Sequence, residues 1–263
     1  MPKPKPSLPP RATPLQPRKR AVIVGASAGI GAALARRLAH EGYTLGLLAR
    51  RADLLEALCK EINKAAGETQ ALSYVHDVRD FEAVPELLRR IVSDLGGLDL
   101  FIYNAGMSLP SGMKHFEFDK DRHVTEVNYL GALAWLNPVA SMFHQLKTGQ
   151  IVGISSVAGE RGRVGNPSYN ASKAALTCFL ESLRNRLTRR GVHVLTVKPG
   201  YVLTEMTARL KNPLFAIPAE RAAAEICRAI RRRKQEIYVA PIWRLVMLVV
   251  RNIPSVIFRR MSF

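Results

Sequence analysis

Short apolar runs alternate with amphipathic stretches along almost the whole chain. Arg20–Val24, Tyr43–Ala49, Thr69–His76, Leu98–Tyr103, Gln150–Ser156, Val192–Val197 and Glu236–Ala240 have the length of buried strands. Between them, the segment through Leu34, Leu38 and Ala39, then Asp53–Ala66, Phe81–Leu95, residues 119–146, Tyr169 to about Arg190, and Pro218–Lys234 read as helices. This alternation predicts an α/β protein: a Rossmann-type, doubly wound parallel sheet of about seven strands, with helices on both faces and right-handed crossovers. In such a sheet ligands sit beyond the carboxyl ends of the strands, so the residues that close each run are the ones to read for chemistry.

Gly25-Ala26-Ser27-Ala28-Gly29-Ile30-Gly31 follows the first strand and opens a helix. A glycine turn there lets backbone N–H groups approach a diphosphate, and the helix N-terminus favours its charge. The second strand ends in Ala49-Arg50-Arg51, where a site preferring NAD carries an acid. Arginine pairs instead with a 2′-phosphate, so NADP(H) is the expected cofactor. Asp77-Val78 closes the third strand, and Asn104-Ala105-Gly106 the fourth, where small residues admit a cofactor close to the backbone. Asn128 falls inside residues 119–146 and is expected to disturb that helix. Tyr169 and Lys173 lie four apart, on one helix face, about 6 Å apart at Cβ. An ammonium beside a phenol lowers its pKa, and the pair can then exchange a proton with a substrate oxygen. Ser156, at the end of its strand, can hold the same oxygen from a second side. By itself a Tyr–Lys pair at this spacing is common in helices that do no chemistry; the other strand ends give it weight. Pro199-Gly200-Tyr201-Val202-Leu203-Thr204 follows the sixth strand, and residues 205–217 read as a mobile apolar flap.

With these motifs together, the sequence resembles the short-chain dehydrogenase/reductase family in its compact single-domain form, over about residues 20–240. The resemblance implies that Tyr169 is the general acid/base, that Lys173 lowers its pKa and binds the nicotinamide ribose, and that Ser156 positions the reacting oxygen. It implies that Asn128 supports a water joining Lys173 to solvent. Cofactor contacts are implied for Gly25, Ser27, Gly29, Ile30, Gly31, Arg50, Arg51, Asp77, Val78, Asn104, Ala105, Gly106, Tyr169, Lys173, Pro199, Gly200, Val202 and Thr204, with Asp77 at the adenine and Thr204 at the carboxamide. Val24 and Tyr103 depart from the family pattern, which often has threonine and asparagine there. The function implied is NADP(H)-dependent interconversion of a carbonyl and an alcohol by hydride transfer, on a small hydrophobic substrate. The alternative is a catalytically silent scaffold or sensor of the same fold. A homodimer or homotetramer is expected from the family's habit of pairing through long helices and C-terminal segments.

Composition adds detail at the two ends. The 263 residues suit one domain with a full core. Three separated cysteines and unclustered histidines give no disulfide framework and no metal site, and point to a reducing, cytoplasmic setting. The net charge of +18 is concentrated: residues 1–20 hold six basic residues and no acid, and residues 228–260 hold nine against Glu236 alone. Residues 1–19, with seven prolines by residue 17, read as a disordered tail, residues 20–240 as the cofactor-binding catalytic domain, and residues 241–263 as an apolar, basic segment. No base-reading motif accompanies the charge, so no nucleic acid is expected. Ile242–Val250 is too short to span a bilayer. Residues 241–260 therefore pack on the domain or a second subunit, the favoured reading, or touch a membrane surface.

Overall fold

The computed structural model describes residues 19–110, 112, 114–208 and 210–261. The Pro-rich tail expected at the N-terminus lies outside them, except for Lys19, which begins the first strand. The chain runs β1 Lys19–Val24, α1 Gly29–His40, β2 Tyr43–Ala49, α2 Ala52–Ala66, β3 Ala71–Val75, α3 Val84–Leu95 and β4 Leu100–Tyr103. It continues through α4 Phe118–Thr125, α5 Gly131–Leu146, β5 Gln150–Ile154, α6 Pro167–Leu187, β6 His193–Pro199, β7 Val202–Leu203 and β8 Ile217–Pro218. It ends with α7 Ala219–Arg231, β9 Glu236–Val239, α8 Ile242–Asn252 and α9 Ser255–Phe258.

Seven strands form one sheet in the order β3-β2-β1-β4-β5-β6-β9, every ladder parallel. Order reverses between β1 and β4, which opens the crevice where doubly wound sheets bind ligands. Side chains alternate across the sheet with period two. Ala21 and Ile23 of β1 with Leu100 and Ile102 of β4 join Leu34 of α1, Leu58 of α2 and Ile226 of α7 in one core. Val22 and Val24 with Phe101 and Tyr103 join Ile91 of α3, Trp135 of α5 and Leu180 of α6 in the other. Each fully buried Leu or Ile in these layers contributes about 1.5–3 kcal/mol of apolar transfer. Gly153 of β5 is required by this packing: a Cβ there would collide with the Leu180 side chain.

Several boundaries differ from expectation for local reasons. The third helix starts at Val84 rather than Phe81, with Pro85 in its first turn, where its missing N–H costs nothing. The strand expected over Thr69–His76 is only Ala71–Val75, because Asn63 takes the Gln70 and Ala71 N–H groups on its side-chain oxygen. The single helix expected over residues 119–146 is broken by a π-turn at Glu126–Leu130, centred on Asn128. The expected flap carries a 3-10 turn at Glu205–Thr207, and its ends close in a short parallel ladder between β7 and β8.

The C-terminal segment is fastened to the domain. Trp243 of α8 meets Tyr201 edge-on at 5.6 Å, and its indole covers Gly200 so closely that any Cβ there would collide with it. Glu160, in the 3-10 turn Val157–Glu160 after β5, is buried against Lys198 at 2.8 Å and Tyr238 at 2.5 Å, with Arg251 of α8 at 3.7 Å. Burial penalises the Lys198 ammonium, yet hydrogen bonds to Glu160 and Glu236 hold its pKa above the ordinary lysine value. Arg161 donates to the Val250 and Arg251 carbonyls and lies over the Phe258 ring at 4.0 Å.

Candidate active site

Each strand end that the sequence singled out lies on one edge of the sheet. Gly25 and Ala26 donate their backbone N–H groups to Leu48, turning the chain sharply into α1. Gly25 has φ +88°, and a Cβ on it would sit 2.6 Å from the Ala105 nitrogen. A Cβ on Gly31 would strike the Gly25 carbonyl. Asn104 locks this cradle, its side-chain amide donating to the Gly25 carbonyl at 2.7 Å. Bare backbone at the N-terminus of α1 is the surface a diphosphate fits, so the residues present suit a dinucleotide.

The charged residues gather at the β2 and β3 ends. Arg51 donates to Ser27 Oγ at 3.3–3.4 Å and pairs with Glu205 at 2.7 Å, so it bridges the glycine turn and the flap. Arg50 is more than half exposed and lies 3.9 Å from Asp77. The Arg79 guanidinium grips Asp77 and holds its carboxyl down at about 2. Val78 is buried in the core beside Gly131.

A cavity of about 590 Å³ opens beside the cradle. Ile30, Asn104, Ser156, Tyr169, Lys173 and Thr204 line it, with Pro199, Gly200 and Val202 along its wall. Lys173 is 3% exposed and donates to the Ile154 carbonyl at 2.9 Å. Its nitrogen lies 5.9 Å from the Tyr169 ring centre. Burial lowers its pKa from 10.5 to about 8. Burial likewise lifts the Tyr169 phenol above its ordinary value, while the Ser156 hydroxyl and the Arg163 charge pull it back. The sequence predicts that the Lys173 ammonium lowers the Tyr169 pKa; in the folded protein burial raises it instead, and the groups that oppose the rise are Ser156 and Arg163 rather than Lys173. Ser156 accepts from the Ala158 N–H at 3.1 Å. Thr204 packs its methyl toward Gly29 and donates its backbone N–H to the Thr207 hydroxyl oxygen at 3.0 Å.

Asn128 is fully buried. It accepts from the Met107 N–H at 2.8 Å and donates to the Met107 carbonyl at 2.9 Å and to Ser172 at 3.1 Å. It thereby fixes the loop after Ala105-Gly106. A Cβ on Gly106 would come 3.2 Å from the Lys173 nitrogen and 3.4 Å from Asn128 Oδ1, so these three residues meet. Tyr103, one of the two departures, supports this arrangement: its buried hydroxyl donates to the Val127 carbonyl at 2.7 Å, inside the π-turn. Sequence reading missed Arg79, Arg163, Glu205 and Trp243. The glycine- and arginine-rich loop before Tyr169 was the one signal for Arg163, and the others carry no local mark.

Comparison with known proteins shows what the chain is similar to. A family model described as short chain dehydrogenase matches residues 19–214. An uncharacterized oxidoreductase of Myxococcus xanthus is 36% identical over 208 residues, 79% of this chain and 81% of the relative. A 3-oxoacyl-[acyl-carrier-protein] reductase of Staphylococcus epidermidis is 31% identical over 200 residues, 74% of this chain and 80% of the relative. Among solved structures, a short-chain type dehydrogenase/reductase from Mycobacterium marinum superposes with a TM-score of 0.78 at 24% identity, over 86% of this chain and 95% of that one.

Proposed function

The chain belongs to the short chain dehydrogenase family, NAD(P)-dependent oxidoreductases acting on CH–OH and C=O groups, and on that footing we propose that it is an NADP(H)-dependent carbonyl reductase or alcohol dehydrogenase for a hydrophobic substrate. The observation that carries the reading is the cavity itself: Ser156, Tyr169 and Lys173 share it with Ile30 and Asn104 of the dinucleotide cradle. A nicotinamide dinucleotide held there would supply or accept the hydride at the substrate carbon. Tyr169 gives its phenolic proton to the substrate oxygen in reduction and takes it back in oxidation. The Ser156 hydroxyl holds that oxygen in place. Lys173, with a pKa drawn down to about 8, stands ready to pass a proton on toward Tyr169. Asn128 anchors the Met107 backbone and so fixes the loop whose Gly106 meets Lys173. Gly25, Gly29 and Gly31 would receive the diphosphate, and Arg50, Arg51 and Ser27 the 2′-phosphate. Asp77 and Val78 would hold the adenine, Asn104, Ala105 and Gly106 the adenosine side, and Pro199, Gly200, Val202 and Thr204 the nicotinamide end.

An apolar substrate is favoured by Leu109, Val202, Met206, Leu210 and Trp243 in the cavity wall. The Staphylococcus relative, named for an acyl-carrier substrate, is compatible with a carbonyl compound bearing an acyl chain. The test is Tyr169→Phe, scored for turnover of apolar ketones and for thermal stabilisation by NADPH. Turnover is lost while stabilisation persists; a variant that still turns over removes Tyr169 from the chemistry. Arg50→Ala weakens NADPH more than NADH, and equal weakening defeats the 2′-phosphate assignment.

A further inference from the structure

Helix α8 is apolar almost all the way round. Trp243, Val246, Met247 and Val250 face the domain. Ile242, Leu245, Leu248 and Val249 face outward, with Leu245 62% and Val249 66% exposed. Helix α9 adds Val256 and Ile257, each more than half exposed. A helix with apolar residues on both faces needs a second apolar medium on its outer side. The surface does not stop at α8. Phe215 of the flap meets Trp243 edge-on at 6.2 Å, and Met206, Leu210, Leu214 and Phe215 are exposed. Met206 and Leu210 also line the cavity, so exposed apolar residues of the flap stand at its wall.

The charges around this face decide what covers it. Residues 242–261 contain Arg244, Arg251, Arg259 and Arg260 and no acid. Arg251 reaches Glu160 at 3.7 Å yet stays 47% exposed, and the acid nearest in the flap, Glu205, is paired with Arg51. A second copy placed on this face by a two-fold axis brings the same four arginines a second time and no acid from residues 242–261 to pair with either set. An anionic lipid surface offers acyl carbon to the outer face of α8 and phosphate to its arginine border. No described helix is long and apolar enough to cross a membrane.

We propose that α8, α9 and the flap form a docking face for an anionic lipid surface, with the cavity mouth turned toward the acyl chains. Delivery of an apolar substrate from that surface rests on the oxidoreductase reading; docking itself does not.

The test is flotation of the full chain with phosphatidylcholine vesicles, with and without phosphatidylglycerol. The comparison is the variant Leu245→Ser/Leu248→Ser/Val249→Ser, which keeps the basic N-terminal residues. The native chain floats with the phosphatidylglycerol vesicles, and the variant's partition coefficient falls at least about tenfold. Its melting temperature, its stabilisation by NADPH and its light-scattering mass stay those of the native chain. Arg244→Gln/Arg259→Gln lowers binding to the anionic vesicles alone. The proposal is overturned if the native chain does not float, or if the serine variant floats undiminished, which assigns binding to the N-terminal charge. It is overturned equally if the serine substitutions dissociate an oligomer, which assigns the face to a second copy. Loss of NADPH stabilisation in the native chain strikes the oxidoreductase reading and leaves the flotation result standing.

Discussion

Replacing Tyr103 with phenylalanine removes one oxygen from the fully buried core and nothing else. That oxygen donates to the Val127 carbonyl at 2.7 Å, in the turn where the helix widens to place Asn128. Losing a buried hydrogen bond costs about 1 kcal/mol, rising to about 3 kcal/mol if the carbonyl is left without any partner. For a domain of this size each kcal/mol moves the melting temperature about 2–4 °C, so a middle value of about 1.5 kcal/mol gives a fall of about 3–6 °C. Calorimetry of native protein and Tyr103→Phe reads this directly. A second effect follows, because Val127 precedes the asparagine that holds Met107, the neighbour of the Gly106 that meets Lys173. kcat falls several-fold, by about 3- to 10-fold for a displacement worth about 1 kcal/mol, while the dissociation constant for NADPH moves less than about twofold. An unchanged melting temperature refutes the idea that this hydroxyl holds the π-turn. A lowered melting temperature with native kcat separates the turn from catalysis.

Two further outcomes are expected. Lys173 is buried with its pKa lowered from 10.5 to about 8, so the unfolded chain holds more protons than the folded one between those values, and stability from this residue rises with pH across that window. Lys173→Met lacks that rise: its melting temperature gains on native protein at pH 7, by the equivalent of about 3 kcal/mol at most, and the gain is gone only above about pH 11. Parallel melting curves across pH contradict it. Glu205→Gln frees Arg51 from an exposed pair that contributes little to stability itself, so NADPH binds up to about fivefold more tightly and NADH binds as before; calorimetric titration with both cofactors checks this, and equal changes refute it.

The sheet was legible because buried strands leave continuous apolar runs and the helices between them repeat at their own period. Gly25, Gly29 and Gly31 were legible because they sit between a strand and a helix, where nothing else in the chain explains three glycines. What could not be read arises from contacts distant in sequence. Arg51 and Glu205 are 154 residues apart, Lys198 and Glu160 38 apart, and neither pair breaks a local rule. Asn128 hinted at a disturbed helix, yet nothing in the sequence showed that Tyr103 would supply the hydrogen bond that shapes the disturbance. Position 103 read as a departure from a pattern, and in the fold it is a support. The balance at Tyr169 was also hidden, since i,i+4 spacing shows which charge is near and not how completely both groups leave water.

Glu160 and Arg161 stand four and five residues after Ser156, and between them they grip α8 and α9 by a carboxylate, two carbonyls and an aromatic ring. The far end of the chain is therefore part of the same mechanical element as the cavity wall. A protein cut after residue 240 loses the indole lid over Gly200 and leaves Arg161 without its carbonyl partners. Tags, fusions and truncations here pull on a clasp whose other half, Glu160 and Arg161, stands in the turn that follows Ser156.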